Sequence, residues 1–134
     1  MFLLDTMVIS EGFRIRPVPS VVRWLRSVDS AHLFVSVVTF GEIEAGIEKQ
    51  RRADAAFRPI ENWLDETRIL YETRTLPITT AVAMCWGRMV TQLHRRDMDV
   101  FIAATALEHD LTVVTRNTRQ FEPTGAKLLN PYES

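Results

Sequence analysis

Three carboxylates in this chain stand where a strand is expected to give way to a helix. Asp5 follows the apolar run Phe2-Leu3-Leu4, Glu42 opens the helical segment in SVVTFGEIEAGI, and Asp99 opens the alanine-rich stretch DVFIAATALEHD. Each has a structural use. Asp5 can cap a first helix. Thr39-Phe40-Gly41-Glu42 fits a capping box, with Thr at the N-cap and Glu three residues on, and an aspartate in a first turn is favoured by the helix dipole. Gathered at the carboxyl edge of a parallel sheet, where open α/β folds place their chemistry, the same three would repel one another unless a cation lay between them. Magnesium, which keeps several waters and takes only a few carboxylates, suits that edge better than zinc. The three histidines, His32, His94 and His109, are scattered, and none pairs with a second His or Cys at ligand spacing. Cys85 has no evident base partner and no Gly-x-Ser-x-Gly elbow occurs, so a protein nucleophile is not expected.

The elements that must position these acids can be read from the pattern. Short apolar runs at 2–4, 33–35 and 112–114 alternate with longer segments of helical period, which predicts a parallel sheet with helices on both faces. Pro17 and Pro19 mark a loop, after which Val21, Leu25 and Val28 recur at helical spacing. From about Ala53 to Tyr71 one long helix or two short ones are expected, with Phe57, Ile60 and Leu64 on one face and a break at Pro59. TRTLPIT predicts a brief strand, and Val82, Cys85, Trp86, Met89 and Leu93 line a further helix. The tail TGAKLLNPYES is expected to give one short edge strand and then leave the domain.

At 134 residues the chain is read as one domain, residues 1–134. With 46% hydrophobic and 25% charged residues, and no apolar run long enough to span a membrane, it is expected to be soluble. No signal peptide is read, and a single cysteine fits a reducing cytoplasm. A net charge of −1 gives no global reason for tight nonspecific binding to nucleic acid. The pairs Arg51 and Arg52, Arg95 and Arg96, and Arg116 and Arg119 could still form a locally basic rim for a phosphate backbone.

LLDTMVIS, SVVTFGEIEAGI and DVFIAATALEHDLTVVTRNTRQFE, in that order and over nearly the whole chain, resemble a PIN-domain ribonuclease of the VapC type, the toxin half of a bacterial toxin–antitoxin pair. The resemblance implies a three-layer α/β/α sandwich around a parallel sheet of four or five strands. It also implies a Mg2+-dependent endoribonuclease, with Mn2+ as a substitute, that attacks RNA phosphodiesters in line with an activated water. Asp5, Glu42 and Asp99 map to the acidic site, Asp5 and Asp99 as direct ligands and Glu42 binding through water or orienting the nucleophile. Asn117 occupies a fourth position that is often aspartate, and Thr6, Thr115 and Arg116 support the pocket. Met7 replaces a usual asparagine. The implied partners are RNA, a second copy of the chain, and a nearby-encoded, DNA-binding, VapB-like antitoxin. Its C-terminal segment would cover the acidic pocket, with Trp24, Leu25 and Ile47 as candidate docking residues.

Two other classes stay open. A catalytically weak PIN fold could survive as a binding or regulatory protein, and Met7 with Asn117 keeps that reading alive. A phosphoacceptor receiver domain shares the topology, but it wants paired acids after the first strand, and Asp5 has no acidic neighbour before Glu11.

Overall fold

Strands of two to four residues are enough to organise this chain because every one of them is covered on both faces. They are β1 Phe2–Leu4, β2 Leu33–Ser36, β3 Thr75–Leu76, β4 Thr112–Val114 and β5 Lys127–Leu129. All pair in parallel, in the order β3-β2-β1-β4-β5. The structure, a computed structural model, describes residues 1–57 and 60–133, the side chains of residues 60 and 61 excepted. The expected break at Pro59 and the facing of Ile60 lie outside the described residues.

Successive strand residues point to opposite faces, and the two cores sort accordingly. Leu3, Phe34, Val113 and Leu128 join one cluster with Val82, Cys85, Met89 and Ile102. Phe2, Leu4, Leu33, Val35, Val114 and Leu129 join the other with Val8, Ile43 and Ile47. Double coverage explains why the strands read as unbroken apolar runs instead of alternating.

The helices between them are α1 Thr6–Ser10, α2 Pro19–Ser27, α3 Val37–Ala53, α4 Ile60–Leu70, α5 Thr80–Leu93, α6 Met98–His109 and α7 Thr118–Phe121. The expected three-layer α/β/α architecture holds, with five strands among the described residues. In α6, Ala103, Ala104 and Ala106 are wholly buried, and their small size lets α5 approach closely. Trp86 then stacks on Phe101 with centroids 4.6 Å apart.

Two expectations are overturned. The capping box is not formed: α3 begins earlier, with Ser36 as N-cap accepting the Val38 N–H at 3.1 Å. Glu42 therefore lies in the second turn instead of opening the helix, and the Thr39 hydroxyl is buried without a partner among the described residues. Of the docking candidates, Trp24 and Leu25 are half-buried, Trp24 packing edge-on against Phe2 with centroids 5.0 Å apart, and Ile47 is 2% exposed and sits mainly in the core. The tail does not leave the domain, because Pro131 is buried and the Tyr132 hydroxyl returns to the Met7 carbonyl at 3.3 Å.

The corrected cap can be tested. Ser36→Ala should lower the stability by about 1 kcal/mol. Thr39→Val, which exchanges an unpaired buried hydroxyl for a methyl, should raise it by about 1 kcal/mol. Urea midpoints measure both, and the reverse order of effects would restore Thr39 as the cap.

Candidate active site

The Asp5 N–H donates to the Val114 carbonyl at 2.9 Å, so the chain leaves the sheet between β1 and β4. The strand order reverses there: β2 and β3 lie on one side of β1, β4 and β5 on the other. Such switch points are where open α/β sheets leave a crevice. Asp5 is 4% exposed, and its two oxygens are separately held. Oδ1 accepts the Thr6 N–H at 2.8 Å, and Oδ2 accepts the Thr115 hydroxyl at 2.7 Å. Asp5 thus caps α1 and also stands at the carboxyl edge.

Thr6 links the first acid to the second, since its hydroxyl donates to Glu42 Oε1 at 2.8 Å. The early start of α3 makes this reach possible, and α3 touches both α1 and α6. Asp99 arrives from the first turn of α6, whose N-cap is Asp97. The three sequence-predicted acids are therefore delivered by β1, α3 and α6 to one edge of the sheet.

Their protonation equilibria register the proximity. Burial pushes the Asp5 carboxyl up, hydrogen bonds from Thr115 and Thr6 pull it back, and the charge of Glu42 pushes it up again. Glu42 is raised by burial and by Asp99 and Asp97, against the Thr6 hydrogen bond. Asp99 moves furthest, to about 6, through burial and then the charges of Asp5 and Asp97, with Arg95 opposing. Among the described residues none of the three is in a salt bridge.

The other predicted members are arranged around them. Thr115 is buried beneath Asp5 and accepts the Asn117 N–H at 2.9 Å, so the turn after β4 is tied to the site. The exposed Asn117 amide donates to the Met7 sulfur at 3.6 Å, bringing the two departures from the family pattern into contact. Arg116 is exposed and lies over the Tyr132 ring.

Asp97 and Tyr132 were not anticipated, and Arg95, expected in a basic rim, is instead paired with Asp97. Arg95 grips Asp97 with two nitrogens, at 2.7 and 2.8 Å, and donates to the Gln120 carbonyl at 2.6 Å, stapling the start of α6 to α7. That grip holds the Asp97 carboxyl below its ordinary value, so it adds negative charge beside Asp99. The available signal was the spacing Arg-Arg-Asp-Met-Asp at 95–99, with two acids in one helix start.

Among the described residues no three His, Cys, Asp or Glu side chains form a ready chelating group. The donors present are hard oxygens, and none carries an ion pair. That set fits a cation that keeps most of its waters and takes one or two carboxylates directly, as magnesium does.

The PIN domain pattern matches residues 2–126. Toxin FitB of Neisseria gonorrhoeae is 33% identical, over 98% of this chain and 99% of that protein. VapC ribonuclease Y4jK of Sinorhizobium fredii is 30% identical over 99% of each. The crystal structure of FitAcB from Neisseria gonorrhoeae superposes with a TM-score of 0.81 at 32% identity, covering 100% of both chains. The order of the three acidic segments, the five-stranded parallel sheet and these likenesses agree: the chain belongs to the PIN domain family, alongside the VapC-type toxins.

Proposed function

We propose that this chain is a metal-dependent endoribonuclease that serves as the toxin of a toxin–antitoxin pair. One observation carries the reading: Asp5, Glu42 and Asp99 come from three separate elements to one sheet edge, raise one another's proton affinity, and form no salt bridge among the described residues. The relatives named as toxin and ribonuclease support the role and the reaction. Asp5 and Asp99 would hold magnesium or manganese, with Glu42 acting through water. When bound, the ion supplies charge neutralisation at the phosphoryl oxygens and a more acidic attacking water. The chain's own contribution is orientation. Thr115 and the Thr6 N–H fix both Asp5 oxygens, and the Thr6 hydroxyl fixes Glu42.

The test is cleavage of single-stranded RNA with magnesium or manganese, and with a chelator. Metal-dependent internal cleavage is expected. No cleavage of any RNA, with either metal, would overturn the enzyme reading and leave a binding protein.

A ribonuclease in its own cell requires restraint, so an antitoxin belongs to the same proposal. A groove of about 440 Å³ runs from Thr6 and Glu42 past Phe13, Ile43, Ile47 and Phe57. An antitoxin segment with an apolar stretch and an arginine would fit it, the guanidinium replacing the cation at the carboxylates. The groove adds a docking surface beside α1 and α3 to the candidates Trp24 and Leu25. A two-fold homodimer is the expected assembly of the chain itself. Co-expression with a neighbouring small gene should copurify both proteins and suppress cleavage.

Asn117→Asp tests the fourth position. The exposed amide is held only by a weak bond to the Met7 sulfur, so a carboxylate there is free to turn toward the cluster. Manganese affinity should rise about tenfold. Equal affinity and stoichiometry by calorimetry would remove Asn117 from the site.

A further inference from the structure

Arg116 stands between Thr115, which holds Asp5, and Asn117, whose N–H bonds back to Thr115. Its guanidinium lies 5.0 Å from the centroid of the Tyr132 ring. The ring is itself pinned, because the Tyr132 hydroxyl faces the Met7 carbonyl at 3.3 Å and Glu11 Oε1 at 3.4 Å. Glu11 is a firm anchor: it is 2% exposed and accepts from Arg14 at 3.0 Å and from the Val18 N–H at 3.3 Å. Tyr132 therefore bridges α1 and the turn after β4, the elements next to Asp5 and Thr115.

Arg116 is exposed and, among the described residues, has no carboxylate at salt-bridge distance. A flexible arginine next to Thr115, which holds Asp5, would be expected to fall onto the acidic cluster, yet Arg116 is not among the charges acting on Asp5, Glu42 or Asp99. A ring contact restrains the guanidinium without neutralising it, leaving its planar set of donors available for the geometry of a phosphate. In a chain of net charge −1, locally placed cations are what can hold the RNA backbone, and Arg116 is one of them.

We propose that Arg116, held on the Tyr132 ring, contacts an RNA backbone phosphate flanking the scissile bond, and that Tyr132 is a positioning residue acting through Arg116. The inference rests on the nuclease reading and adds how the substrate is held.

Binding of a short, mixed-sequence, fluorescently labelled single-stranded RNA to the Asp99→Asn protein tests it without cleavage. Adding Arg116→Ala should weaken binding about tenfold and reduce the salt slope of log K by about 0.7, one phosphate contact on a single strand. Tyr132→Leu should weaken binding about threefold, whereas Tyr132→Phe, which keeps the ring but not its hydroxyl anchor, should fall between Tyr132→Leu and the parent. Once Arg116 is alanine, Tyr132→Leu should add nothing, since neighbours acting as one unit are not additive. In the active protein, Arg116→Ala should raise KM far more than it lowers kcat, and manganese binding by calorimetry should not move. An unchanged salt slope in Arg116→Ala, or an equal loss from Tyr132→Leu with and without Arg116, overturns the inference while leaving the nuclease reading intact. Failure of the parent to bind or cleave any RNA overturns both.

Discussion

Asp99→Asn is expected to leave a folded protein whose RNA cleavage has fallen on the order of a hundredfold or more, the scale seen when a metal site or its charge-stabilising groups are disturbed. Structural and catalytic demands on this residue point in opposite directions. The N-cap of α6 is Asp97, not Asp99, so the exchange removes no cap. The Asp99 carboxyl is pushed up to about 6 by burial and by the charges of Asp5 and Asp97. Near neutral pH the ion-free fold is therefore strained by its negative charge, and asparagine, of the same shape, relieves that strain. The variant should melt at or above the parent temperature in the absence of divalent ions while losing activity. A residue kept for capping would show the reverse, some loss of stability with cleavage intact. Full cleavage by Asp99→Asn would remove Asp99 from the site and leave the cluster without its most perturbed member.

How much of this was visible in the sequence depended on range. Asp5 could be placed because Phe2-Leu3-Leu4 ends abruptly in a carboxylate, and the strand it closes is found at residues 2–4. Asp99 could be placed because FIAATA reads as a buried helix, and Ile102, Ala103, Ala104 and Ala106 are indeed fully buried. Glu42 was named as well, but its place in the helix was misread. Thr39 and Glu42 have capping-box spacing, but tertiary packing starts the helix at Val37, although β-branched Val37 and Val38 suit a strand as well as a helix. The contacts missed join residues far apart in the chain. Tyr132 reaches Met7, and Arg95 reaches Gln120. No periodicity encodes such pairs, since they exist only once the sheet has set β1, β4 and α7 side by side. Asn-Pro-Tyr at 130–132 reads as the start of a departing tail for that reason, although Tyr132 packs back onto the domain.

In the metal-free protein, stability should fall as pH rises from about 4 to about 6, and then level off. Asp99 has its folded value near 6, above the ordinary 3.8, and Asp5 and Glu42 are shifted the same way. Across that window the folded chain binds more protons than the unfolded one, so the free energy of unfolding decreases with rising pH. The contribution from these groups is fully present below the unfolded values and is lost as pH passes through the folded ones. A divalent ion competes with the same protons, so its effect should run in the opposite sense. At pH 7.5 and a hundredfold excess over Kd, magnesium or manganese should stabilise the fold by about 2.7 kcal/mol, which for a domain of this size is on the order of ten degrees in Tm. At pH 5 the gain should shrink, because binding must first displace protons. Asp99→Asn should flatten the metal-free pH profile and lose most of the metal-induced gain together, since both arise from one carboxylate. Melting curves at pH 5 and 7.5, with and without millimolar magnesium and manganese, decide the matter. A Tm indifferent to both ions at pH 7.5, or a gain of equal size at the two pH values, would mean that the carboxylates at this sheet edge are not where the cation binds.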